Sequence, residues 1–387
     1  MRWTVYSWCQ IFPGGSLILL LAIGCSGPRP QGPVEVEVIQ PVGPRCQYQI
    51  APATLHTITD LHRVSGQLGS VVANDEVVES RPEILDHGYG FRPVDVEFSR
   101  RGNTYYPLDY ASLLAASLYY SIERGYLMFA SLDGAGDLKT RVPDLSGTLI
   151  VLDARRQNDS GNLTREVYDN AEYLPHRVKT SDGTEFLRNY IFAFPNQDIS
   201  ALPLGLNIGI LIHEYTHMVF QYLFYEPGIS RNVYVTESNE KPTSNTLAAI
   251  DEGLADYFSF VSTRDPSFFE CSFPNSGRDL SQSRYLTHEI RDSLLSEDRF
   301  DPHELGAVIA SINWEIGEVL GNHEANARSL LKMMASLLDC PEVVTSRNVL
   351  SMNVQSLSAC QARAATDSRL AEIIRRTYSK YLSGGDP

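Results

Sequence analysis

The chain has 387 residues, 43% of them apolar and 20% charged, enough to bury a large core. Its 32 Lys and Arg against 47 Asp and Glu leave a net charge of −15. That excludes a nucleic-acid binder held by phosphate contacts and a protein held to anionic lipid by basic residues. No apolar run reaches the roughly 18–20 residues that span a bilayer, which excludes a multi-pass membrane protein.

The N-terminus reads as an address. Arg2 precedes Leu17-Ile18-Leu19-Leu20-Leu21-Ala22-Ile23, and small Gly24 stands before Cys25. A basic start, an apolar stretch and a small-residue end make an export signal, expected over residues 1–24. Ala22-Ile23-Gly24-Cys25 resembles the bacterial lipobox. The resemblance implies that Cys25 is acylated and anchors a lipoprotein to a membrane of the cell envelope, with its body in the periplasm or outside the cell. Ser26 resembles the pattern that sorts such proteins to the outer membrane.

Residues 25–57 hold Gly27, Pro28, Pro30, Gly32, Pro33, Pro41, Gly43 and Pro44, and are expected to be a semi-extended tether without a core. Apart from Cys9 in the signal and Cys25, the cysteines are Cys46, Cys271, Cys340 and Cys360. In an oxidising compartment they suggest two disulfides in one of three pairings. One of these, Cys340 with Cys360 and Cys46 with Cys271, ties two late helices and pins the end of the tether.

Residues 58–204 read as an α+β lobe with a twisted sheet. Val94-Asp95-Val96-Glu97-Phe98 alternates with period two and predicts a strand, and Leu113 to Leu132 carries a helix-length apolar pattern. Gly147–Leu152 and Asn189–Phe194 read as buried strands. Residues 205–387 are mainly helical in pattern, over Leu206–Tyr225, Leu247–Val261, His303–Leu320, Ala325–Leu338 and Ser368–Leu382. Strands first and helices after give an α+β fold of two lobes, with the site expected in the cleft between them.

The chemistry centres on His213-Glu214-Tyr215-Thr216-His217, set among Ile208, Leu211, Ile212, Val219 and Phe220. Histidines at i and i+4 share one helix face and can reach one metal ion, while Glu214 can reach a water on it without ligating. A catalytic zinc takes three protein ligands and a water. The third is sought in Asp251-Glu252-Gly253-Leu254-Ala255-Asp256. Glu252 and Asp256, four apart, repel on one face unless a cation lies between. Zn²⁺ on Glu252, with Asp256 hydrogen-bonded to a ligand histidine, removes the conflict.

These paired motifs resemble the gluzincin metallopeptidases, especially the thermolysin-like ones, whose HExxH helix is followed by a helix bearing (Asn/Asp)-Glu-x-x-(Ser/Ala)-Asp. The resemblance covers roughly residues 189–321. It implies a zincin-like fold, zinc ligands His213, His217 and Glu252, Asp256 behind them, and a peptide or protein substrate. The 35 positions from His217 to Glu252 exceed the familiar spacing. Polar residues 226–245 are expected to loop out and absorb the excess. No GxMEN-like aminopeptidase signature precedes the helix.

Asp301-Pro302-His303-Glu304-Leu305-Gly306 predicts a helix start, with Asp301 as cap, Pro302 at N1 and Glu304 completing a capping box. His303, held in the first turn, resembles the His-x-x-Gly element that brings a histidine to the oxyanion. His288 and His323 are weaker competitors, and the twenty tyrosines offer no basis for choosing one. The function expected is zinc-dependent peptide hydrolysis with Glu214 as general base. The substrate would add as a strand to an edge of the upstream lobe, which ends in Ile191–Phe194. Two rivals stand beside it: a non-catalytic lipoprotein with a structural or vestigial zinc site, and a hydrolase of some other amide, such as a cell-wall cross-link.

Overall fold

The computed structural model describes residues 32–383 apart from 75–84, 86–89, 135–141, 143–144, 156, 161–162, 181, 197–200, 275 and 297–298, with the backbone alone at 157–160 and 163–166. The expected signal over 1–24 and the lipidation residue Cys25 lie outside these residues.

The tether expectation is corrected from Val34 onward. Val34-Glu35-Val36-Glu37-Val38 alternates apolar and acidic residues, and strand β1 (Val34–Gly43) turns Val36 and Val38 fully inward. It pairs antiparallel with β2 (Gln47–Leu55), and Gly43 and Pro44 mark the turn between them. Short strands β3 (Ile58–Asp60), β4 (Ser65–Gly66), β5 (Gly69–Asn74), β6 (Phe91–Pro93), β7 (Phe98–Arg101) and β8 (Thr104–Pro107) follow. Residues 94–97, expected within a strand, belong to no sheet ladder. Instead the Glu97 N–H donates to Ser112 Oγ at 2.8 Å, and its carbonyl accepts from Leu108 N at 2.9 Å. Period two there does not correspond to a sheet strand until Phe98, where β7 begins.

Helix α1 (Tyr110–Leu132) starts at Asp109, whose carboxylate accepts from Ser112 N at 2.7 Å. Then come β9 (Leu149–Leu152), the ribbon β10 (Gln157–Ser160) and β11 (Leu163–Glu166), β12 (Ala171–Lys179) and β13 (Glu185–Ala193). One sheet runs β2-β1-β8-β7; the other runs β12-β13-β9-β5-β4-β3, with β6 beside β5. In the second, β5, β9 and β13 are parallel and β12 is an antiparallel edge. The strand expected over Asn189–Phe194 is β13 and lies inside the sheet; among the described residues, β12 beside it is an edge of the sheet.

The second half is helical: α2 (Ile208–Phe220), α3 (Glu226–Ser230), α4 (Glu240–Thr263), α5 (His288–Ser293), α6 (Pro302–Leu320), α7 (His323–Ser336), α8 (Val354–Ala364) and α9 (Ser368–Leu382). Residues 226–245, expected to loop out, hold α3 and the start of α4. Pro242 fits because the first turn of a helix has no intrahelical partner for its N–H groups.

The class is mixed α+β with open sheets. One apolar core threads both halves, from Val36 and Leu118 through Leu211, Ile250 and Ile309 to Leu357. Cys46 pairs with Cys271 and Cys340 with Cys360, their Cα atoms 5.3 and 5.9 Å apart. Cys360 lies in α8, whereas Cys340 follows the turn after α7, so that bridge joins a helix to a turn. Among the described residues no helix is long and apolar enough to cross a membrane.

Candidate metal centre

Asn207 fixes where α2 begins. Its Oδ1 accepts from Gly209 N at 3.1 Å and Ile210 N at 3.4 Å. Its Nδ2 donates to the Phe268 carbonyl and the Ser272 hydroxyl, both at 2.9 Å, tying the helix start to the Cys271 turn. One helical repeat then brings His213 and His217 onto the same face, their Nε2 atoms 3.1 Å apart. Glu252 reaches them from α4, with Oε2 3.2 Å from His213 Nε2 and Oε1 3.6 Å from His217 Nε2.

Behind each imidazole stands a carboxylate. Asp256 Oδ1 lies 2.9 Å from His213 Nδ1, and Asp251 Oδ1 lies 2.8 Å from His217 Nδ1. A carboxylate only accepts, so the neutral His217 ring carries its proton on Nδ1 and its lone pair on Nε2, and the nearness of Asp256 favours the same tautomer in His213. Two lone pairs and a carboxylate then face one another. Glu252 Oε2 is buried and makes no hydrogen bond. The arrangement is repulsive unless positive charge sits at its centre. Two imidazoles and a carboxylate, their ligand atoms all within 4.8 Å of one another, can hold a metal ion.

Without a cation, protons fill the same need. Burial alone would lower the His217 imidazole, but Asp251, Glu252 and Glu214 outweigh it and push it up to about 10. His213 follows in direction, with burial opposed by Asp256 and Glu252. For Glu252, burial is outweighed by His217, His213 and His303, which hold its carboxyl well below the ordinary range. Asp256 is lowered too, its burial overcome by Arg278 and His213.

The three ligand side chains border a cleft of about 970 Å³, which β12, α2, α4, α6 and the loop before α5 enclose. Glu214 lies in its wall, almost fully buried. Burial raises its carboxyl, against the two imidazoles, and the backbone N–H of Tyr173 on β12 hydrogen-bonds it. Pro175 has no N–H and shares the parity of Tyr173, so this side of the strand faces away from β13 and into the cleft.

No protein-family model matches this chain, and no curated protein matches it either. The geometry alone characterises the site.

His303 joins the group from the first turn of α6. Asp301 Oδ1 accepts from its backbone N–H at 2.9 Å and faces its Nδ1 at 2.8 Å, leaving Nε2 3.4 Å from Glu252 Oε2. The cap expected at Asp301 is present, but Glu304 returns no bond to it, so the capping box is not formed. His288 is exposed outside the cleft. His323 is a packing residue, 2.8 Å from Glu318 through Nε2 and edge-on to Phe260.

Three cleft residues carry no assignment from the sequence. Asp251 stood within the quoted motif, and only its contact with His217 reveals a role. Arg278 holds Asp256 at 2.6 Å, lies 3.7 Å from Glu252 and stacks 3.6 Å over the Phe269 ring. No local pattern announces it. Tyr225 ends a π-helical turn over Gln221–Tyr225, a distortion frequent at functional sites. The Tyr173 hydroxyl donates to Asn189, whereas the Tyr225 phenol has no hydrogen-bond partner among the described residues.

Proposed function

We propose that this protein is a zinc-dependent peptidase of gluzincin type, zincin-like in fold, tethered to the cell envelope through a lipid on Cys25. The observation that carries the reading is that His213, His217 and Glu252 converge where buried Glu214 meets the open edge of β12. The three converging residues would hold the ion. Bound there, zinc lowers the pKa of a water and polarises a carbonyl.

The chain's own groups then divide the work. The Glu214 carboxylate takes a proton from the attacking water and hands it to the leaving amine. With Nδ1–H held by Asp301, His303 donates from Nε2 only when its ring carries both protons; in that form it and the Tyr225 phenol are the donors offered to the carbonyl oxygen as it gains negative charge. Burial, aided by Asp251, raises the pKa of Tyr225 and keeps its proton in place. Removing one such donor lowers kcat by about 10²–10³.

The substrate is a peptide added as a strand to β12. Tyr173 has already given its N–H to Glu214 and Pro175 has none, so this stretch of edge offers chiefly carbonyls. A bound peptide is therefore held there through its own N–H groups. The two disulfides suit the oxidising compartment to which an exported lipoprotein is delivered, and the partners are a peptide and a membrane, with no nucleic acid.

The test is zinc content together with cleavage of a mixed peptide library, with and without chelator. Glu214→Gln is expected to keep its zinc and lose hydrolysis. Turnover retained in that variant overturns the general-base role. Zinc bound without any cleavage by the unaltered protein favours the non-catalytic lipoprotein, in which buried Glu214 has no task.

A further inference from the structure

Acidic side chains outnumber basic ones in the lining of the cleft. Asp169, Glu172, Asp301 and Glu304 line it beyond the groups around the metal centre. Among the described residues, two guanidiniums face this wall, those of Arg278 and Arg284. Arg278 is committed to Asp256 and Glu252.

Arg284 is not committed. It stands half-buried in the loop before α5, and among the described residues no carboxylate forms an ion pair with it. Its Nε is fully buried and finds no acceptor among the described residues. A guanidinium carries donors and no acceptor, and a buried N–H left without an acceptor is unfavourable. The room it occupies is kept open by Gly277. That residue has φ +67°, and a Cβ there would lie 3.1 Å from Arg284 Nη2.

We propose that Arg284 is a specificity residue that receives a carboxylate of the peptide, resting on the peptidase reading given above. Arginine and carboxylate match as a two-pronged pair. The site therefore reads one negative charge at one position along the substrate. That charge is either the C-terminal carboxylate or an Asp or Glu side chain.

The experiment uses one peptide in three forms: free C-terminal acid, C-terminal amide, and amide with Glu substituted at successive positions. Cleavage is measured with the zinc-loaded protein, and binding with its Glu214→Gln variant by calorimetry. A carboxylate-bearing form is expected to be favoured by about 10–100-fold over the neutral amide. Arg284→Gln should abolish that preference, and Arg284→Lys should restore part of it. Zinc content and thermal unfolding of the Arg284 variants check that the fold is intact. Preference for the free acid identifies the C-terminus as the source, and preference for one Glu position identifies a side chain. If the peptides are cleaved without regard to charge, or the preference survives Arg284→Gln, the inference falls and the peptidase reading stands. If nothing is cleaved but binding follows charge and Arg284, the inference stands and the peptidase reading falls. If no peptide is cleaved or bound, both fall.

Discussion

Gly253 and Gly306 meet where α4 crosses α6. A Cβ on Gly253 would lie 2.6 Å from the Gly306 carbonyl oxygen, and a Cβ on Gly306 would lie 2.8 Å from Glu252 Cβ. The missing side chains let the helices approach closely enough for His303, one turn before Gly306, to stand beside Glu252. The crossing thus sets the spacing between a metal ligand and a proposed oxyanion donor.

Gly306→Ala is therefore expected to push the helices apart at the site itself. Overpacking of this kind costs about 1–3 kcal/mol. Thermal unfolding should show that loss, and zinc affinity should fall with it because Glu252 moves. Unchanged melting and unchanged affinity would mean that the crossing is looser than these contacts require.

Asp251 acts through His217. Held at 2.8 Å on Nδ1, the ring keeps its orientation and the tautomer that directs Nε2 inward. Asp251→Ala should weaken zinc binding by about 10–100-fold, with Asp251→Asn retaining part of the affinity. Competition with a chromogenic chelator measures the loss. A variant that binds zinc as tightly as the parent would reduce Asp251 to a bystander.

The helical repeat made His213, Glu214 and His217 legible, because one face of one element carries all the information needed. Glu252 and Asp256 were legible for the same reason, through the like charges they place four positions apart. Arg278, Arg284 and Tyr225 were not, since a long loop and a π turn deliver them and neither has a period. The hairpin β1–β2 was misread because eight Pro and Gly residues between Gly27 and Pro44 outweighed the Val34-Val36-Val38 alternation. Which strand of the upstream lobe forms the edge was not legible, because strand order is a non-local property. Nothing within Ile191–Phe194 says which neighbour lies outside it, and β3, β4 and β6, at two or three residues each, are too short to display a pattern.

Protons and metal compete for the same lone pairs. In the metal-free protein the folded value for His217, about 10, lies above its ordinary 6.5. The stability it contributes is fully present below pH 6.5 and is lost as pH rises through 10. Zinc uptake releases those protons, so affinity increases with pH. The melting temperature of metal-free protein is expected to fall across this window, while the gap between zinc-loaded and zinc-free melts widens. A gap that narrows with rising pH would show that His217 does not exchange a proton for the ion.

The Cys46–Cys271 bridge bears on the metal centre through one turn. Phe269, two residues before Cys271, sets its ring edge-on to His213 at 5.6 Å and carries the Arg278 guanidinium on its face. Cys46 also donates its N–H to Asp265 at 3.2 Å, so the hairpin is fastened to the end of α4 as well. Cys46→Ser with Cys271→Ser should cost about 2–5 kcal/mol of stability. Zinc affinity should weaken with it, because Arg278 loses the platform from which it holds Asp256. The pair Cys340→Ser and Cys360→Ser is the control, since that bridge joins α8 to a turn outside the cleft and should lower the melting temperature without touching zinc. Equal effects of the two pairs on zinc binding would mean that global loosening, rather than the Phe269 turn, connects the disulfide to the ion.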